Sequence, residues 1–149
     1  MDTRINEITI RYRPKLKAEH WPKISSSSLA AQVVFENWDH NTIAVYESFK
    51  ILLLNNSNKV KGIYQISHGG ITGTLVDLRL LFAVALKSLS VALILVHNHP
   101  SGTLRPSEAD KNLTRKIKSA ADFLDIKILD HLILIPTGEY YSFADEGIL

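Results

Sequence analysis

Two histidines one residue apart, His97 and His99, lie in the segment Val96-His97-Asn98-His99-Pro100-Ser101-Gly102. Asp110 follows after ten intervening residues, with Ser107 three residues before it. Imidazole and carboxylate are ligand types that suit zinc. Three such ligands leave a fourth tetrahedral position open, which separates a catalytic zinc from a structural one. In an extended segment residues i and i+2 point to the same side, so His97 and His99 aim at one point. Each residue also has a plainer reading. His-x-His is a common polar pair. Ser107-x-x-Asp110 fits a capping box at a helix start, where the Asp also suits the helix dipole. An apolar run before the histidines and a helix start after them favour the metal.

A hydrolytic zinc site needs a base as well. Zinc lowers the pKa of bound water to roughly 7, and a nearby carboxylate can take and deliver the proton. Glu47, at the mouth of the apolar run Phe49-Lys50-Ile51-Leu52-Leu53-Leu54, is the best placed. Glu36, Glu108 and Glu139 compete with it, although Glu36 is expected on a helix surface and Glu108 beside Asp110 is expected to point outward. His131 precedes an apolar run and fits either hydrogen-bond support of a ligand or a satisfied core histidine. Asn98 is a second candidate for such support. His68, on a Gly-rich stretch, could touch the site but fits a solvated loop better, and His20 and His40 carry no assigned function.

These side chains need a scaffold. Ile5, Ile8, Ile10 and Tyr12 alternate loosely, predicting a strand over residues 4–13, followed by a basic connecting arm to residue 25. Ser25 to Ser28 supply N-caps for a helix running to about Trp38. Residues 47–55 and 59–66 predict a hairpin around the turn-forming Asn55-Asn56-Ser57-Asn58. Ser67 to Thr74 reads as a Gly-rich loop. Residues 75–89 predict a helix apolar almost all round, hence well buried. Val91 to Val96 has the continuous apolar character of a central strand, whose open end is where α/β sites commonly lie. A loop over 98–106 leads into an amphipathic helix from Ser107 to Leu124. Ile126 to Ile135 reads as a strand, and residues 139–143 as a short last one. Residues 26–149 are thus expected to form one α/β domain behind an arm of residues 1–25.

Composition agrees with a small enzyme. The chain has 149 residues, 46% hydrophobic and 21% charged, with a formal net charge of +2. A chain of this size buries roughly 68–70% of its unfolded surface. The charge is too small to argue for nucleic acid, and the basic arm from Arg11 to Lys23 reads as a solvated segment. Cysteine is absent, so a metal site must use His and carboxylates. The first residues hold no apolar signal segment, and the longest apolar run is too short for a bilayer, so a cytoplasmic protein without membrane contact is expected.

The joint pattern resembles a known family. His97-x-His99, ten residues, Asp110, with Ser107 in place, looks like the JAMM signature of JAB/MPN-type metalloproteases. His97 to Gly102 with Pro106-Ser107 resembles the bacterial RadC branch, as do Leu129-Asp130-His131-Leu132-Ile133-Leu134, Tyr141-Ser142-Phe143 before Glu146-Gly147, and Glu47-x-Phe49 upstream. The resemblance covers about residue 26 to the end. It implies a mixed β-sheet flanked by helices, similar to the cytidine deaminases, although the deaminase His-x-Glu and Pro-Cys-x-x-Cys pattern is absent. It further implies one zinc on His97, His99 and Asp110, Glu47 as general acid/base, and Ser107 as an oxyanion donor. The implied reaction is hydrolysis of a peptide or isopeptide bond in a peptide or protein substrate. A catalytically silent metal-binding module recruiting protein or DNA is the alternative, with a metal-dependent nuclease behind it. RadC relatives often carry an N-terminal helix-hairpin-helix domain; none is expected in this chain, and direct nucleic-acid contact is disfavoured.

Overall fold

The computed structural model describes residues 3–7, 9, 11–70 and 74–149. Ser26 starts the first helix, α1 (Ser27–Glu36), its Oγ accepting from the Leu29 N–H at 3.1 Å. The Asn37 side chain closes it by donating to Val33 O at 2.8 Å. Strands β1 (Ser48–Leu54) and β2 (Val60–His68) form the expected antiparallel hairpin. Asn55 builds its loop, the side-chain oxygen accepting from the N–H groups of Ser57 at 2.9 Å and Lys59 at 3.0 Å. Asn58 takes a positive φ of 57°, which a short polar side chain tolerates.

After α2 (Leu78–Lys87) comes β3 (Ala92–Asn98), the central strand. It pairs antiparallel with β1 and parallel with β4 (Lys127–Leu134). A parallel pair needs a crossover, and α3 (Glu108–Phe123) provides it. The short β5 (Tyr140–Ser142) closes the sheet, whose order is β2-β1-β3-β4-β5. This mixed sheet with helices on both faces is the architecture expected of a JAB/MPN domain.

Side-chain alternation divides the core in two. On one face Leu52, Leu54, Ile94, Val96, Leu132 and Leu134 pack under Ala30, Ala31 and Val34 of α1. On the other, Phe49, Ile51, Leu53, Leu93 and Leu95 pack under Leu81 and Ala85 of α2 and Ile117 and Ala121 of α3. Strand β3 is buried along its whole length, because it is covered on both faces and paired on both edges. Its odd-numbered residues point to the α2/α3 side, and this parity decides which face receives His97.

Two expectations need correction. The strand predicted over residues 4–13 does not form among the residues described there; Ile8 and Ile10 lie outside them. An extended segment becomes a strand by pairing its backbone, and here Ile5 is 93% exposed with no apolar face to cover. The helix predicted over 75–89 is shorter and is buried on one side only. It lies as an outer layer on the sheet, so Leu81, Phe82 and Ala85 face inward while Leu80 and Leu86 stay exposed. Strand β2 also runs on through His68, taking part of the predicted Gly-rich loop, of which residues 71–73 lie outside the description. Among the described residues no helix is long and apolar enough to cross a membrane.

The layering predicts unequal costs for equal truncations. Leu95→Ala empties a site with 0% exposure and should destabilise by about 2–5 kcal/mol. Leu80→Ala, on the outer side of α2, should change stability by under about 1 kcal/mol. Urea denaturation of both variants checks this; similar costs would mean that α2 is buried on both sides.

Candidate metal centre

His97 is the last but one residue of β3, and its odd number sends it to the α2/α3 face together with Leu93 and Leu95. His99 keeps the extended course, its N–H donating to Leu134 O at 2.8 Å, so both rings emerge on one side. The chain then turns sharply. Gly102 donates to His99 O at 3.1 Å and adopts a positive φ of 84°, which favours glycine. The loop delivers Ser107 as N-cap of α3. Its Oγ accepts from the Asp110 N–H at 3.0 Å, and its own N–H donates to Asp110 Oδ2 at 2.8 Å. This is the reciprocal capping box read from the sequence. Here capping does not compete with metal binding, because it holds the Asp110 carboxylate over the two imidazoles.

The three groups meet. His97 Nε2 and His99 Nε2 are 2.9 Å apart, His97 Nε2 lies 3.3 Å from Asp110 Oδ1, and His99 Nε2 lies 3.5 Å from Asp110 Oδ2. One ligand atom from each falls within 4.8 Å of the others, so the group could hold a metal ion. The donor set fits one. His99 Nδ1 lies 2.7 Å from Thr103 O. A carbonyl only accepts, so Nδ1 carries the proton and Nε2 turns its lone pair inward. A lone pair packed against a carboxylate is stable only with a cation or a proton between them. Accordingly, although burial opposes its charged form, Asp110, the Thr103 carbonyl and the negative charge of Glu47 raise the pKa of His99 above the usual 6.5. Burial likewise opposes ionisation of Asp110, but hydrogen bonds to His97, His99 and Ser107 hold its carboxyl far below the usual 3.8.

Glu47 stands just before β1, half-buried. The β1–β3 register ends with Phe49 paired to His97, which leaves Glu47, two residues earlier, beside the end of β3, and its negative charge acts on His99. The other acids lie elsewhere. Glu36 accepts from Gln32 on the exposed side of α1, Glu108 pairs with Lys111, and Glu139 with Thr137. Asn98, with its even number, points away from the His97, His99 and Asp110 group. It is fully buried and holds the segment around Glu47: its Oδ1 accepts from Ser48 N–H at 2.7 Å, and its Nδ2 donates to Ile43 O at 2.7 Å and Tyr46 O at 2.9 Å. Glu47 O accepts from Gly69 N–H at 2.9 Å, which ties it also to the end of β2. Exposed His68 rests its ring 5.2 Å from that of Tyr46.

His131 is buried beside the site, with Nε2 2.8 Å from His97 Nδ1 and Nδ1 2.6 Å from Thr114 Oγ1. Phe143 stacks on it at 4.5 Å and Phe49 meets it edge-on at 5.6 Å. Burial, and then its neighbour His97, push its pKa well below the usual 6.5. A bulge aims this ring. The β3–β4 register skips Leu129, pairing Leu93 with Ile128 but Ile94 with Asp130. The extra residue reverses the parity of β4. Ile126 and Ile128 face α3 before it, and His131 faces α3 after it. Asp130 faces α1 instead, accepting from Ser27 Oγ at 2.9 Å and Ser142 Oγ at 2.6 Å. Sequence reasoning had no sign of Thr114 or Thr103. The one signal available for Thr114 was its position four residues after Asp110, on the same face of α3. His20 is exposed beside Glu19, and His40 packs edge-on against Phe35 at 4.7 Å.

Residues 24–148 match the RadC-like JAB domain family. Similar proteins include a UPF0758 protein of Flavobacterium johnsoniae, 59% identical over 103 residues, which is 69% of this chain and 44% of that one. One of Porphyromonas gingivalis is 48% identical over 103 residues, with 69% and 45% covered. One of Geotalea uraniireducens is 40% identical over 117 residues, with 78% and 51% covered. The chain therefore spans about half the length of these relatives, and their names state no activity.

The ion pair within the site gives the metal-free protein a pH signature. Asp110, with its lowered pKa, stabilises above the unfolded value of 3.8 and loses that contribution as pH falls. His99, with its raised pKa, stabilises below 6.5 and loses that contribution as pH rises through its folded value. In chelator-treated protein Asp110→Asn should therefore lose most stability between pH 3.8 and 6.5. Denaturation midpoints across pH measure this; equal losses at about pH 5 and about pH 9 would contradict the coupling.

Proposed function

The chain belongs to the RadC-like JAB domain family, and with the hydrolases of that family in view we propose that it is a zinc-dependent peptidase acting on a peptide or isopeptide bond. The observation that carries this reading is the convergence of His97 Nε2, His99 Nε2 and the Asp110 carboxylate, with the negative charge of Glu47 near enough to act on His99. Two imidazoles and one carboxylate, with no thiolate, suit zinc and leave one position of a tetrahedron open. Zinc bound there would act as a Lewis acid and acidify water at that position.

The chain's own residues would complete the reaction. Glu47, held by the Asn98 clamp on its flanks, would accept the proton of the attacking water and return it to the leaving nitrogen. Ser107 uses its oxygen to accept from Asp110 N–H, which leaves its O–H to donate. At the exposed rim of the site that proton would stabilise the oxyanion of the tetrahedral intermediate. The buried rings of Phe49 and Phe143 keep water from the far side of His97 and His131. The substrate would be a peptide or protein.

Metal analysis of the purified protein should find close to one zinc per chain, and His97→Ala combined with His99→Ala should abolish it. Stoichiometric zinc in that double variant would end the assignment. Glu47→Gln preserves shape but cannot accept a proton. It should retain zinc and lose turnover of peptides selected from a cleavage library by about 100-fold or more. Unchanged turnover would move the base to another carboxylate. A zinc-loaded wild type that cleaves no library member would instead favour the silent binding module.

A further inference from the structure

Thr114, on the second turn of α3, is buried and makes two short contacts through one oxygen. Its Oγ1 lies 2.7 Å from Asp110 O and 2.6 Å from His131 Nδ1. Each contact needs a proton, and the hydroxyl has only one. Asp110 O is a carbonyl and supplies none, so the hydroxyl proton is committed there. The second contact must then take its proton from His131 Nδ1. A neutral imidazole with Nδ1–H has a bare Nε2. That Nε2 lies 2.8 Å from His97 Nδ1, so His97 Nδ1 must donate. His97 is left with a bare Nε2, the atom that faces His99 Nε2 and Asp110 Oδ1.

We propose that Thr114 and His131 form a directional hydrogen-bond relay, anchored on the main-chain carbonyl of Asp110, which fixes His97 in its Nδ1–H tautomer with Nε2 turned to the metal. The inference rests on the metal-binding reading of His97, His99 and Asp110 for its purpose, though not for its hydrogen-bond logic. It gives the two histidine ligands a common design. His99 is set directly by Thr103 O, and His97 is set at two removes by Asp110 O. A ligating histidine is usually oriented by a carboxylate, a carbonyl or a water. A neutral imidazole in that place orients the ring without adding negative charge behind it, so the net charge at the metal comes from Asp110 and from Glu47 nearby. It also couples the ligands, because the residue that supplies the carboxylate supplies the carbonyl that aims His97. Thr114 and His131 are positioning residues here; neither reaches the reacting atoms.

Long-range proton–nitrogen NMR correlations on metal-free, nitrogen-15-labelled protein at about pH 8, where an ordinary imidazole is neutral, read the tautomers directly. Wild-type His97 and His131 are both expected as Nδ1–H. An Nε2–H tautomer at either ring overturns the relay, and this measurement needs no variant to fold. Thr114→Val keeps the shape but has neither donor nor acceptor. It should scramble the His97 tautomer and weaken zinc binding, read by competition with a chromophoric chelator, by about 10–100-fold. Thr114→Ser should restore both. A Thr114→Val protein that keeps Nδ1–H on His97 and wild-type zinc affinity would show that Thr114 only fills space. Failure of the wild type itself to bind zinc would strike the proposed function, while the tautomer result would still judge the relay.

Discussion

Electron pairs that repel one another are held together at the centre of this fold. Two imidazole nitrogens and a carboxylate are kept within a few ångströms in a largely buried place. Left to themselves they would separate or take up protons, since low-dielectric surroundings strengthen every unbalanced charge. The backbone prevents the separation. His97 and His99 are fixed by strand geometry, and Asp110 by a capping box that uses its carboxylate to satisfy a helix N-terminus. Convergence therefore depends on how β3 meets α3 across a loop with a glycine at positive φ.

The sheet assigns the work by parity. On the α2/α3 face β3 places His97, and β4 places His131 once its bulge has shifted the alternation. On the α1 face the same strands place Asn98 and Asp130, buried polar groups with all their hydrogen bonds made to local backbone and hydroxyls. Asn98 clamps the chain on both sides of Glu47, and Asp130 gathers α1 and the segment after β5. These groups are costly to bury unpaired, and the described residues leave no buried side-chain polar atom without a partner. Neighbouring residues thus serve opposite ends, with His97 and His99 facing the candidate metal site and Asn98 between them bracing a loop.

Directionality follows from the same accounting. A carbonyl accepts and never donates, so each chain of hydrogen bonds ending on one has a fixed sense. Thr103 O and Asp110 O lie behind the two histidines and turn their Nε2 atoms the same way. The aromatic rings of Phe49 and Phe143 enclose the His97–His131 contact. Water is thereby kept from a pair whose orientation it could scramble.

Local periodicity and motif spacing determined much of this by themselves. The one-face aim of His97 and His99, the capping box at Ser107 and Asp110, the Ser-capped first helix, the Asn-rich hairpin loop and the buried central strand all follow from interactions within a few residues. The arm strand, as far as residues are described there, and the well-buried second helix failed for one reason: a strand needs a partner to pair with, and a helix is buried only where another layer covers it, and neither is written in the segment itself. The nearness of Glu47 to His99 comes from the pairing of β1 with β3. The placing of His131 against His97 comes from one extra residue in the pairing of β4. A histidine after an aspartate looks the same in sequence whether it faces α1 or α3. Only the tertiary pairing, which counts residues across two strands, decides which face it joins and hence what it can touch.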